Sequence, residues 1–215
     1  MNYFAHGRLF LDTPYFAAGT AVPDWLCVLD RKIRVRPQAA QTLVSHPDER
    51  VAAVAGGILQ HRHDDAWFHR TRAFAELNLQ LTAEVRKVLP QDDGFRPSFL
   101  GHILVEILLD AALIADAPEQ LDAYQAALDS IDPLVVADAI NQVTTRPSEL
   151  WPVFIPRFSA ERFLYDYQED AKLLSRLNRV MRRVQMQPLP EAFLSILPPA
   201  RHAVARRRQE LLTAP

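Results

Sequence analysis

The sequence predicts an all-α protein, and three observations carry that prediction. Ala, Leu, Arg, Glu and Gln dominate, Gly is scarce at 6, and runs of β-branched residues are few, a balance that favours helix. Apolar residues recur at helical spacing through most of the chain. The 16 prolines fall mostly between those periodic segments, where they start and stop helices. At 215 residues, 49% hydrophobic and 23% charged, the chain has the composition of an ordinary soluble domain with a sizeable core.

Asn2–Leu11 reads as a short helix with His6 among Tyr3, Phe4, Leu9 and Phe10. Tyr15–Ala21 reads as a turn or short helix, and Pro23 suits the first turn of a helix to about Asp30, with Asp24 in that turn. Arg31–Arg36 is a basic connector, strand-like or looped, and Pro37–Val44 a modest helix. Ser45 or Asp48 can cap a long helix from about Asp48 to Phe68. Gly56 and Gly57 inside it cost about 1 kcal/mol each against Ala; close approach of another helix backbone would explain them. Thr71–Leu89 is a further helix and Pro90–Gly94 a loop. Ser98 caps Phe99–Ala115, which is apolar nearly all round and is expected to be central. Pro118–Ser130 and Pro133–Val143 are shorter amphipathic helices. Pro147–Pro156 is expected to connect a helical core, 1–150, to C-terminal helices, 151–215, that pack on or cover it. Those are a long helix over Ser159–Gln187 and one or two more over Pro190–Leu212, interrupted at Pro198-Pro199.

Two of these helices carry chemistry. His61, Asp65 and His69 are spaced i, i+4, i+8, which drifts by only about 80° around a helix and keeps them on one face. His102, Glu106 and Asp110 repeat the spacing. Imidazoles and carboxylates rarely face an apolar core unless paired or metal-bound. Members one turn apart, about 6 Å along the axis, can reach one ion; the outer members, about 12 Å apart, cannot share one. Two ions are therefore expected, chosen from Mn, Fe, Zn or Mg, since no thiolate narrows the choice. Paired metals about 3.5–4 Å apart recur in phosphoester hydrolysis, where they activate water and stabilise charge on phosphorus oxygens. A lone HxxxD is common on solvated helices; two extended pairs on apolar helices are more specific.

Other residues read less sharply. Arg62, beside the ligands, could bind a phosphate or be a surface arginine. The basic face of Arg176, Arg179, Arg182 and Arg183 could receive an anionic substrate or partner, or be a solvated face. His63 and Asp64 fall off the ligand face and read as surface residues, and Cys27 reads as core.

Charge and targeting signals set exclusions. The net charge of −2 argues against general nucleic-acid binding. The charge is uneven: 11 Lys/Arg against 6 Asp/Glu from Arg157 on, and 13 against 20 before it. The single cysteine rules out an internal disulfide and fits a reducing compartment. The start lacks the pattern of a signal peptide. The segment Ile103–Ala115 is broken by Glu106 and Asp110 and is too short for a bilayer, so no membrane span and a cytoplasmic location are expected.

Several stretches resemble the bacterial acyl carrier protein phosphodiesterase family: MNYFAHGRLFL at the start, GTAVPDWL at 19–26, ILQHRHDDAWF at 58–68, and the acidic pair Glu106 and Asp110. The resemblance covers residues 1–115. It implies an all-helical fold of HD-phosphohydrolase-like type and divalent-metal hydrolysis of the phosphopantetheine phosphodiester on a carrier protein. It also implies roles: His6 matches the family's N-terminal histidine, Asp24 its early aspartate, His61-Arg62 its HR, Asp65 the following aspartate, and Glu106 and Asp110 the late acidic pair. The chain departs from the pattern at His69, where an aspartate is usual, at Glu106 in place of aspartate, at Ala111 in place of histidine, and at the extra His102. Those departures make the site similar to that of zinc-dependent phospholipase C and single-strand nucleases.

The expected function is thus a metal-dependent phosphoesterase with a dinuclear site. Its ligands would be His6, Asp24, His61, Asp65, His69, His102, Glu106 and Asp110, with His61, Asp65 and Arg62 catalytic and Arg62, Arg176 and Arg179 binding substrate. Its partner would be a phosphorylated small molecule or a phosphopantetheinylated carrier protein. The alternative is a non-catalytic helical protein that keeps the scaffold and binds a ligand or partner. A redox di-metal carboxylate protein ranks behind both, because the acids follow the histidines at i+4 and are too few.

Overall fold

A computed structural model describes residues 1–89 and 94–214. Among them the chain forms twelve α-helices and two 3-10 segments, with no strand beyond an isolated antiparallel bridge between Val35 and Thr144. The all-α class read from composition and periodicity is the fold observed. The loop expected at Pro90–Gly94 lies, apart from Gly94, outside the described residues.

The helices gather into two compact units that interleave along the chain. The first comprises Tyr3–Asp65 and Ala117–Arg162; the second comprises Met1–Asn2, Ala66–Asp116 and Phe163–Pro215. The chain therefore passes between units at 2/3, 65/66, 116/117 and 162/163.

The first unit holds α1 (Tyr3–Gly7), α2 (Pro14–Leu29), α3 (Pro37–Leu43), most of α4 (Glu49–Phe68), α7 (Pro118–Asp129), α8 (Pro133–Val143) and α9 (Trp151–Ala160). α2 corrects the sequence reading, because it runs straight through Pro23 as one helix. An interior proline withholds an N–H and opposes the carbonyl four residues back, at a cost of about 3 kcal/mol. Burial offsets that cost: Ala17, Ala18, Ala21, Val22 and Trp25 are almost fully excluded from solvent. α9 is a second correction, since it occupies a stretch read as a connection. Pro152 sits in its first turn, where a missing N–H costs nothing, and Trp151 and Ile155 bury its inner face. Cys27, expected in the core, is exposed.

α2 and α4 meet backbone to backbone. A Cβ on Gly57 would stand 2.1 Å from the Phe16 carbonyl oxygen, and one on Gly19 would stand 2.3 Å from that of Val54. The second of the two paired glycines in α4 thus has the cause expected of it. Gly56 differs, because its Cβ would meet only the Phe16 ring at 2.9 Å.

The second unit is built on α6 (Pro97–Asp116), which packs against α5 (Arg72–Val88) and α11 (Leu197–Arg206). α6 is long and apolar enough to cross a membrane by length and composition, but 61% of its apolar window is buried inside the protein. Leu100, Leu104, Val105, Leu108 and Leu109 make it the core helix of this unit. The expected long helix over Ser159–Gln187 is broken. α9 ends at Ala160, Arg162 takes a left-handed φ of 42°, a 3-10 segment covers Phe163–Gln168, and α10 spans only Asp170–Arg183. A 3-10 segment at Glu191–Ile196 then leads to α11, which Pro198 opens rather than interrupts, and to α12 (Arg208–Leu211).

Candidate metal centres

Five of the six residues singled out by spacing, together with His6, fall into two groups of three, one in each unit. Within each group, ligand-capable atoms lie within 4.8 Å of one another. The first group is His6, His61 and Asp65; the second is His69, His102 and Glu106. Both consist of two imidazoles and one carboxylate.

The glycine crossing builds the first group. With Gly19 against Gly57, the next turn of α4 brings the His61 Nδ1 to 2.7 Å from the carbonyl oxygen of Thr20. That carbonyl lies in the turn that Pro23 disturbs, three residues before it. A carbonyl only accepts, so Nδ1 carries the proton and Nε2 is left to face the group. His6 arrives from α1, which is pressed against α7 so closely that a Cβ on Gly7 would stand 2.3 Å from the Tyr124 ring. The two imidazoles stack with centroids 4.0 Å apart and planes 22° apart.

Asp65 receives both rings. His6 Nε2 lies 3.3 Å from one carboxylate oxygen and His61 Nε2 lies 3.4 Å from the other. Both imidazoles are buried, with side chains 0% and 5% exposed, whereas Asp65 is 33% exposed. The His6 Nε2 is fully buried and makes no hydrogen bond. A buried nitrogen in that condition is costly, and two lone pairs aimed at one carboxylate repel unless something positive lies among them. A proton can serve: burial pushes the His6 imidazole down, but the Asp64 and Asp65 carboxylates outweigh it and hold its pKa above the ordinary value. Burial likewise raises Asp65, and its contacts with His6 and His61 override that and keep it well below the usual carboxylate range. A divalent cation can also serve. Ligand bonds of about 2.0–2.1 Å in tetrahedral geometry set neighbouring donor atoms about 3.3–3.4 Å apart, the spacing seen between each nitrogen and its carboxylate oxygen.

The second group is assembled by a turn. α4 stops at Phe68, His69 lies just beyond it, and Thr71 caps α5 by accepting from the Phe74 amide at 3.2 Å. This places the Phe74 ring 4.8 Å from His69 and 4.9 Å from His102, with the two imidazoles 4.8 Å apart. All nitrogens converge on one oxygen, Glu106 Oε1: His69 Nε2 at 2.9 Å, His102 Nε2 at 3.3 Å and the Met1 amino nitrogen at 3.4 Å. Burial raises the Glu106 pKa, but the Met1 ammonium and the two histidines hold it at about 2. The imidazoles here are more open, with side chains 31% and 40% exposed.

The remaining expected residues lie outside both groups. Asp110 is fully buried one turn after Glu106 and accepts from the Asn2 amide at 2.9 Å. Asp24 is half-buried on α2. Arg62 is exposed beside His61. Arg176 donates through Nε to Asp166 at 2.6 Å, and Arg179 is exposed on α10. Two contributors escaped the sequence reading. The Thr20 carbonyl could not be found without knowing where the helices cross. Asp64, read as a surface residue, lies 3.4 Å from His6 Nδ1 and accepts from Gln60 at 2.8 Å.

Fold and site together define an all-α protein that carries two groups of two histidines and one carboxylate. No protein-family model, curated protein or solved structure matches the chain.

Proposed function

We propose that the protein is a metal-dependent phosphoesterase whose principal ion is held by His6, His61 and Asp65. The observation that carries this reading is the buried, unbonded His6 Nε2 converging with His61 Nε2 on the Asp65 carboxylate. Three protein ligands leave coordination positions open, as catalytic sites do and closed structural sites do not. Nitrogen-rich donors favour Zn, Mn or Fe over Mg, which prefers an all-oxygen shell.

A bound divalent ion would supply Lewis acidity toward a phosphoryl oxygen and toward water. The chain's own residues supply the rest. The two buried imidazoles form the floor, with the His61 ring fixed by the Thr20 carbonyl. Asp65, the most exposed of the three, forms the side open to solvent. Arg62 stands exposed one residue from His61 and would offer a guanidinium to a phosphate. A second ion would use His69, His102 and Glu106. The resemblance in residues 1–115 adds a phosphodiester on a phosphopantetheinylated carrier protein, or a smaller phosphorylated molecule, as the substrate class.

A second reading has its own observation. The 2.9 Å His69–Glu106 contact has the length of an ordinary charge-assisted hydrogen bond, and the Met1 amino group already lies against the same oxygen. Histidine–carboxylate hydrogen bonds of this kind would then staple a non-catalytic scaffold. Hydrolysis of bis-p-nitrophenyl phosphate separates the readings. Metal-replete protein should turn it over in the presence of Mn or Zn, and His61→Ala should abolish turnover. A metal-loaded wild type without activity would favour the scaffold.

A further inference from the structure

We infer that Asp64 is a positioning residue for His6, and that it sets the affinity of the His6–His61–Asp65 group for its ion. The inference rests on the metal reading of that group.

The two nitrogens of each imidazole have different tasks. A ring that ligates through Nε2 must carry its proton on Nδ1, and a partner that accepts from Nδ1 selects that tautomer, fixes the ring plane and raises the basicity of Nε2. For His61 the partner is the Thr20 carbonyl, a backbone group that no side-chain substitution removes. For His6 the partner is Asp64 Oδ2, at 3.4 Å from Nδ1. Asp64 is itself held: its other oxygen accepts from Gln60 Nε2 at 2.8 Å, one turn earlier on α4. Its side chain is 13% exposed, which suits an inward role and not the solvated one expected from its angular position.

α4 therefore contributes three consecutive functions in one turn and a half. His61 and Asp65 face the ion position, and Asp64, beside Asp65, turns toward the far side of the His6 ring. Both rings are gripped at Nδ1 and both present Nε2. His6 sits on a five-residue helix, so its ring needs an external grip more than His61 does on a helix of twenty.

The test compares zinc affinity of the full chain, measured by competition with a chromogenic chelator, for wild type, Asp64→Ala and Asp64→Asn. Losing an outer acceptor of this kind weakens a site about 10–100-fold. Asp64→Ala should show that loss, and Asp64→Asn, which still offers an oxygen to Nδ1, should recover most of it. Equal affinity for wild type and Asp64→Ala would overturn the role of Asp64 while leaving the site intact. A wild type that binds no zinc would overturn the site itself. Long-range ¹H–¹⁵N spectra of the zinc-loaded wild type need no variant to fold. They should show His6 protonated at Nδ1 and metallated at Nε2, and the opposite assignment would also overturn the inference.

Discussion

The two histidine–carboxylate groups share a composition and differ in construction, and the difference separates an ion site from an ion pair. In the first, each Nε2 faces its own carboxylate oxygen at 3.3–3.4 Å, the His6 Nε2 makes no hydrogen bond, and the spacing suits donors around a cation. In the second, three nitrogens crowd one oxygen, and one of them is at ordinary hydrogen-bond length. The first buries its imidazoles and grips them from behind; the second leaves them about a third exposed. Burial without a hydrogen bond is a cost that persists only when something offsets it. The first group therefore implies an occupant more strongly than the second does.

The largest expected effect breaks that contrast directly. His61→Ala removes a ligand rather than its support, so zinc affinity should fall by more than the roughly 100-fold ceiling typical of a lost outer partner. His102→Ala should leave the tightest site unchanged. Competition titrations of both variants check this, and a similar loss in both would erase the distinction between the groups.

A second test concerns the helix crossing that aims His61. Gly57→Ala would drive a Cβ to 2.1 Å from a backbone oxygen, an overpacking of the kind that costs about 1–3 kcal/mol and exceeds the gain in helix propensity. Gly56→Ala meets only a phenylalanine ring that can shift, so it should be far milder. Thermal unfolding of the pair measures the difference, and equal melting temperatures would contradict the crossing.

The pH dependence has a definite sign. The folded His6 pKa is raised, so its contribution to metal-free stability is complete below the unfolded value near 6.5 and is lost as pH rises through the folded value. Asp65 and Glu106 are lowered, so theirs are present above the ordinary carboxylate values and are lost as pH falls, for Glu106 toward about 2. Metal-free protein should thus be most stable on the mildly acidic side. Zinc must displace the proton on His6, so the zinc-induced rise in melting temperature should grow as pH rises from below 6.5 through the raised His6 value. A rise independent of pH would place the ion elsewhere.

The smallest effect is expected at Arg62. Arg62→Ala should raise KM for a phosphodiester several-fold with bound metal unchanged, which steady-state kinetics alongside elemental analysis would show.

Much of this was legible in the sequence, for identifiable reasons. Spacing of i, i+4 along α4 and α6 paired His61 with Asp65 and His102 with Glu106, because helical periodicity is local. Pairing across elements was not local. Helical spacing alone joins His61 to His69, yet α4 ends between them and each histidine belongs to a different group. His6 was legible only through resemblance, since a histidine on a five-residue helix has no periodic signature. Pro23 and Pro152 misled because a proline's effect depends on what its helix buries, and Asp64 because a helical wheel does not show a neighbour arriving from outside the helix.

Equilibrium dialysis against zinc and manganese near neutral pH, followed by elemental analysis of wild type, His6→Ala and His102→Ala, probes the first group most directly. Wild type should hold at least one tightly bound ion per chain, and His6→Ala should lose the tightest one while His102→Ala keeps it. Retention of that ion by His6→Ala, or its absence from wild type, would contradict the first group as an ion site.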